Sequence, residues 1–387
     1  MTTSTAPGTV AAGDHLATDP ALRVGYAELV DFTTRVFTAY GLPQERAAVA
    51  AEALCHGDLT EVTSHGLTNL TRLYLPLFTD GRVDPGADLK VLADRGAAAL
   101  VDGSQALGLW AASEAVDMAA DRAAEYGVGV ISVRNSTHLG CAGYHAARAV
   151  RRGMIGLVVS NCGRQRIIRP PGGRAAMLGT NPLSLAAPAG GHPPFVLDMS
   201  TTVVPTGRIR MAARAGELIP EGWLEDIDGK PVTDPGALDR GEGYLQWLGG
   251  GPQTGAYKGY GLGLLVEVLS ALVPSAGLGP EPAALAGDGR PSGRDDDIGF
   301  LALVLAPASL RSREDFVADA ETLFGTLLAC PPLRPEEPVR YPGWHESQRA
   351  ERNKMEGVPM SATLYAELCA VAAELDLAAL EAKGDRP

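Results

Sequence analysis

Residues 126–149 read YGVGVISVRNSTHLGCAGYHAARA, and this stretch decides the fold class. Val128 to Val133 is an apolar, β-branched run that predicts a buried strand. The run breaks into a polar loop, Asn135-Ser136-Thr137-His138, and a helix of small residues begins near Ala142. Such a strand fixes its loop, Gly140 and Gly143 let other groups come close, and the helix start offers backbone N–H groups. A second imidazole, His65, stands in Thr63-Ser64-His65-Gly66. The expectation is that these two histidines and the polar segment beginning at Asp198 form one active site.

Upstream, apolar residues at helical spacing predict a helix over 26–40, ended by Gly41-Leu42-Pro43, and an alanine-rich helix over 47–59. Leu67, Leu70, Leu73 and Leu77 predict a further helix with Ser64 as its N-cap. His65 would then lie in the first turn, where the positive helix end lowers an imidazole pKa. Segments 89–92 and 97–102 read as a strand pair and 107–125 as a helix. Downstream, 154–160 and 299–305 read as buried strands, and 207–216, 262–272, 313–328 and 361–377 as helices.

Composition narrows the chemistry. The 387-residue chain carries 33 Lys plus Arg against 46 Asp plus Glu, a formal charge of −13. That acidity argues against nucleic acid or anionic membrane as the main partner and leaves room for a small anionic substrate bound by local arginines. The five cysteines are widely spaced and form no C-x-x-C, so neither a disulfide framework nor a metal cluster is expected, and reduced thiols point to a cytoplasmic protein. No apolar run is long enough to predict a transmembrane helix.

Three further segments carry candidate ligand groups. Residues 161–182 hold Arg164, Arg166, Arg169 and Arg174, whose guanidinium forks match carboxylate or phosphate oxygens. Asp198-Met199-Ser200-Thr201-Thr202 ends a strand in a carboxylate and hydroxyls. Asp198 suits support of an imidazolium, and the hydroxyls suit a phosphate. Lys258-Gly259 stands at a glycine-rich helix start, another phosphate-binding arrangement, without Walker spacing. No G-x-G-x-x-G follows a strand, so a standard Rossmann fold is not supported.

Eight short motifs in order resemble the type-2 malate/L-lactate dehydrogenase family, which includes ureidoglycolate dehydrogenase, diketogulonate reductase and Δ1-piperideine-2-carboxylate reductase. They are Ser64-His65-Gly66; Asn135 to Gly140 with Gly143-Tyr144; Gly153-Met154-Ile155-Gly156; Gly179-Thr180-Asn181-Pro182; Leu197 to Thr201; Ile219 to Trp223; Tyr257 to Leu262; and Tyr341-Pro342-Gly343. The resemblance implies an α/β, non-Rossmann NAD(P)-binding fold with a large mixed or antiparallel sheet and a helical lobe. The division expected is a flexible tail over 1–22, a helical dimerisation lobe over 23–125 plus 310–387, and a nucleotide-binding lobe over 126–309 with a mobile loop at 275–297.

The resemblance also implies a homodimer, NAD or NADP as cofactor, and hydride transfer to the C=O of a 2-oxo acid or the C=N of a cyclic 2-imino acid. The oxidative direction, as a 2-hydroxy-acid dehydrogenase, is the alternative, and a degraded nucleotide-binding paralogue is a third. His65 matches the family's proton donor and His138 a second catalytic histidine, with Asp198 as support. Asn181, Asp198 to Thr202, Lys258, Gly259, Pro342 and Gly343 match cofactor-contacting segments. Two positions depart from the family: Asn69 replaces the arginine five residues after Ser64, and Trp344 replaces a glutamate. Arg72 or one of Arg164, Arg166 and Arg169 is then left to hold the substrate carboxylate beside Ser64 and Asn69. A specialised oxo or imino acid is expected rather than plain malate or lactate.

Overall fold

The computed structural model describes residues 22–251 and 253–383. Its centre is a seven-stranded mixed sheet built from β1 (Lys90–Asp94), β2 (Ala98–Ala106), β3 (Val128–Ser136), β4 (Ile155–Ser160), β5 (Leu183–Ala189), β6 (His192–Met199) and β7 (Ile298–Leu305). The spatial order is β1-β2-β3-β7-β4-β5-β6. Only β2 and β3 are parallel; every other neighbouring pair is antiparallel. The last strand in sequence enters the middle because its run, IGFLALVL, is apolar on both faces and mostly buried.

The longer helices among the described residues are α1 (Tyr26–Ala39), α2 (Gln44–Leu59), α3 (Gly108–Tyr126), α4 (Ala142–Val150), α5 (Thr206–Ala215), α6 (Ala256–Glu267), α7 (Arg313–Leu328), α8 (Trp344–Glu356) and α9 (Ala362–Glu374). Alanines on α3 let it lie close to β3; a side chain at Gly129 would overlap the Ala119 carbonyl. The main apolar core joins α1 to α4 with β2, β3, β7 and the C-terminal Val358–Met360 and α9. A smaller cluster gathers Ile168, Leu178, Ile209, Leu245 and Trp247 around the arginine-rich segment and α5.

Three local expectations change. No α-helix starts at Ser64: Thr63–His65 is a 3-10 turn, Gly66 is extended, and a π-helical turn over Leu70–Tyr74 leads into a short helix, Leu75–Thr79. Pro76 has no N–H to return to the carbonyl of Arg72, which favours the wider turn there. Helix α6 starts six residues earlier than its glycines suggest. Gly259 and Gly263 are needed because a side chain would overlap the Leu248 backbone or the Trp247 ring. Helix α8 was not anticipated: its sequence is polar almost all round and only Asn353 is buried.

The fold fixes the His138 loop against the start of α3. Gly108 donates its N–H to Thr137 Oγ1 at 2.9 Å, and a Cβ at Gly108 would overlap the Thr137 carbonyl. Gly108→Ala is expected to lower unfolding free energy by about 2 kcal/mol, the usual scale for overpacking against rigid backbone. Urea unfolding measures it; an unchanged midpoint would contradict this packing.

Candidate active site

The two histidines meet. The rings of His65 and His138 lie 5.9 Å apart, centroid to centroid, with 21° between their planes. Each is half-buried.

His65 is delivered by the turn after α2. Gly57 and Gly66 allow backbone contact, since a Cβ at Gly57 would lie 2.7 Å from Gly66 N. Asp58, 3% exposed, accepts the Leu67 N–H at 2.7 Å. Burial raises its carboxyl to about 7, against the lowering effect of that bond. Ser64 does not cap a helix; its hydroxyl lies 3.0 Å from His65 Nδ1. The His65 imidazole is lowered to about 4, first by burial, then by His138 and Arg72. The expected direction holds, but desolvation replaces the helix dipole as its cause.

His138 follows β3. Its Nδ1 is 2.9 Å from the Tyr74 hydroxyl and 3.2 Å from Gly140 N. A backbone N–H only donates, so the network assigns an unprotonated Nδ1 and a protonated Nε2. Tyr74 is fully buried and its phenol pKa is driven up by burial, which keeps it a donor. His138 is itself lowered chiefly by burial, with Asp295 opposing and Arg72 assisting. Behind the loop, buried His145 donates Nε2–H to the Leu139 carbonyl at 2.7 Å while its Nδ1 meets Ser113 Oγ at 2.9 Å.

One guanidinium faces this pair. Arg72 bonds Asn69 Oδ1 at 2.5 Å and has no carboxylate partner among the described residues. Asn69 is 3% exposed and its Nδ2 donates to the Ser64 carbonyl at 2.8 Å. Both ends of Asn69 are therefore occupied, and it positions Arg72 rather than offering a substrate contact of its own. Arg169 is likewise reassigned. It pairs with Glu225, donates to the carbonyls of Ile227 and Asp226 at 3.0 and 3.1 Å, and stacks over Tyr244. Its charge is met by Glu225 and its fork is held by backbone carbonyls of the 225–227 segment, within the protein. Arg164 pairs with Glu281 and Asp297.

Asp198 does not bond either histidine; its Oδ2 accepts the Gly143 N–H at 2.7 Å, in the first turn of α4. Close surroundings raise its carboxyl to about 6, and Glu346 adds to the rise, although the residue keeps a solvent-exposed face. The Pro342-Gly343 turn docks on the same strand: Val196 N–H donates to the Pro342 carbonyl at 3.1 Å. Gly343 takes a φ of 92°, and a Cβ there would lie 2.8 Å from Pro194 O. Trp344 joins Tyr341 and Phe324 in an aromatic cluster, which explains an indole at that position.

The hydroxyls of Thr201 and Thr202 are buried and spent on Thr180 O and Val204 O, so they shape the loop rather than meet a phosphate. Ser200 is less buried, and its Oγ lies 2.9 Å from Thr202 Oγ1. Met199 ends β6. Asn181 is fully buried and clamps Gly263 O at 3.0 Å and Glu267 at 2.9 Å, holding α6 in place. Lys258 is exposed in the first turn of α6, without a carboxylate partner among the described residues. A free ammonium at a helix N-terminus fits the diphosphate of a dinucleotide.

Residues 24–369 match the family model for malate/L-lactate dehydrogenase. Among similar proteins, malate dehydrogenase of Pyrococcus abyssi is 38% identical over 252 residues, 65% of this chain and 68% of that protein. L-sulfolactate dehydrogenase of Methanocaldococcus jannaschii is 34% identical over 346 residues, 88% of this chain and 94% of that protein. The solved malate dehydrogenase of Pyrococcus horikoshii superposes with a TM-score of 0.82 at 29% identity, covering 94% of this chain and 99% of that one. Δ1-piperideine-2-carboxylate reductase from Pseudomonas syringae gives 0.77 at 27%, covering 90% and 99%. Fold and site thus define a nicotinamide-dependent oxidoreductase of non-Rossmann type. The chain belongs to the malate/L-lactate dehydrogenase family.

Sequence reading missed Tyr74 and Asp58, the two groups that hold the histidine loops. Neither stands in a motif, and only burial distinguishes them. The pH dependence of Asp58 has a definite sign. Between about 4 and 7 its folded form keeps a proton that the unfolded chain releases, so this group's contribution to stability falls as pH rises. Asp58→Asn should therefore gain melting temperature relative to the parent on going from pH 5 to pH 8. A difference independent of pH would contradict the buried carboxyl.

Proposed function

We propose that this enzyme uses NADH or NADPH to reduce the C=O of a 2-oxo acid, and oxidises the 2-hydroxy acid in reverse. The observation that carries the reading is an uncompensated guanidinium, Arg72, beside two neutral imidazoles. Arg72 takes the C1 carboxylate through its fork. That places the C2 oxygen at His138, whose Nε2–H polarises it. A bound dihydronicotinamide supplies the hydride. Lys258 and the N-terminal N–H groups of α6 hold the diphosphate, and Asp198 offers its exposed oxygen to ribose hydroxyls or the carboxamide.

The proton follows from charge. Arg72 contributes to lowering both histidines. A carboxylate seated on Arg72 cancels that effect, so one imidazole of the stacked pair gains a proton as substrate binds. His65, or a water it holds, passes that proton to the alkoxide oxygen.

A cyclic 2-imino acid is the second substrate class, favoured by the structural likeness to the piperideine-2-carboxylate reductase. Its protonated nitrogen would take the place of the carbonyl oxygen. Tyr257, Leu265, Val268, Leu272 and Val273 form an exposed apolar stripe along α6 and the turn after it, suited to a second copy of the chain in a homodimer. Five free cysteines suit a reducing cytoplasm.

A panel of 2-oxo acids and cyclic imino acids, each with NADH and NADPH, tests the reading. On the best pair, His65→Ala should lower kcat by about 10²- to 10⁴-fold, the usual loss for a general acid. Turnover within threefold of the parent would contradict the assignment.

A further inference from the structure

A third histidine, His145, stands behind the His138 loop and takes no part in the proposed reaction. It belongs to α4 and is fully buried. Its Nε2 lies 2.7 Å from the Leu139 carbonyl, and its Nδ1 lies 2.9 Å from the hydroxyl of Ser113, a buried residue of α3. A carbonyl only accepts, so Nε2 carries the His145 proton and Ser113 donates to Nδ1. Burial lowers this imidazole to about 4, which agrees with a neutral ring of one donor and one acceptor nitrogen.

The Leu139 carbonyl and the Gly140 N–H belong to one planar peptide group. His145 holds the carbonyl end, and the N–H at the other end donates to His138 Nδ1 at 3.2 Å. Gly140 has a φ of 76°. Turning this peptide over would change the sign of that angle, and glycine accepts either sign. The backbone alone therefore does not fix which way the N–H points; the hydrogen bonds at its two ends do.

We propose that Ser113 and His145 are positioning residues of the active site: they lock the Leu139–Gly140 peptide so that its N–H holds His138 in the tautomer protonated on Nε2. This rests on the reading of that Nε2–H as the group that polarises the C2 oxygen. Tyr74 cannot set the tautomer by itself, because a neutral phenol hydroxyl donates or accepts and would pair with either form of His138. A backbone N–H only donates, so Gly140 is the contact that discriminates, and its direction is held from the carbonyl side. Donation to that carbonyl also polarises the peptide and strengthens the bond its N–H makes to His138. Ser113 completes the chain by keeping the His145 proton on Nε2.

The test replaces His145 in two ways. His145→Phe keeps a ring and removes both nitrogens; His145→Gln returns an N–H near the place of Nε2. ¹⁵N-resolved NMR should show His138 protonated on Nε2 in the parent, a population protonated on Nδ1 in His145→Phe, and the parent signature again in His145→Gln. On the best 2-oxo acid, kcat should fall about tenfold in His145→Phe, the scale of one lost hydrogen bond, with KM within about threefold of the parent and most of the loss recovered in His145→Gln. Ser113→Ala leaves His145 in place and should move the His138 signature the same way by a smaller amount, which keeps the test decisive if His145→Phe does not fold. A parent-like His138 signature in every variant that folds overturns the proposal, even where the melting temperature falls, since the pair would then act by packing alone. If the parent reduces no 2-oxo acid, that reading fails, and the His138 tautomer alone judges the positioning role.

Discussion

The imidazoles of His65 and His138 stack on each other, Arg72 helps to lower the pKa of both, and among the described residues no carboxylate bonds any of the three. Burial first, and then neighbouring positive groups, push the two imidazoles toward neutrality. His65 and His138 respond by giving up their protons; Arg72, with its far higher intrinsic pKa, keeps its charge. The site is therefore short of one negative charge until an anion arrives. In the proposed reaction, carboxylate binding and proton uptake are a single event, so substrate recognition would also load the acid that the reaction consumes.

The architecture holds this arrangement from several sides. Strand β3 and helix α3 present the His138 loop, Tyr74 and Gly140 set its tautomer, and His145 pins the carbonyl next to it. The turn after α2, braced by Asp58, presents His65, and Asn69 ties Arg72 to that turn. Arg82 anchors the 275–297 segment through Asp295 and Asp296 at 2.6 and 2.7 Å. Most of these supports are buried polar groups with satisfied partners, which keeps them rigid.

Much of the fold was legible in the chain. β3 and β7 are dense apolar runs, and α1, α3 and α7 show the helical period within a residue or two of their observed ends. Elements hidden from periodicity were those decided by tertiary contact. The break at Gly66 depends on Asp58 packed against it, and the early start of α6 depends on the Leu248 backbone. The convergence of His65 and His138 was inferred from motifs and is present. The fates of Arg169, Thr201 and Thr202 could not be read, because a basic or hydroxylated residue looks the same in sequence whether its polar atoms face a ligand or are already bonded to the protein.

The neutral, tautomer-locked histidine pair is the centre of this account, and ¹⁵N-resolved NMR of the imidazoles reports on it directly. At pH 7 without substrate, His65 and His138 should both give neutral signatures, with His138 carrying its proton on Nε2. One of the two should become an imidazolium when a 2-oxo acid analogue such as oxamate is added with cofactor. An imidazolium at either position before the anion is added, or a His138 protonated on Nδ1, would contradict it.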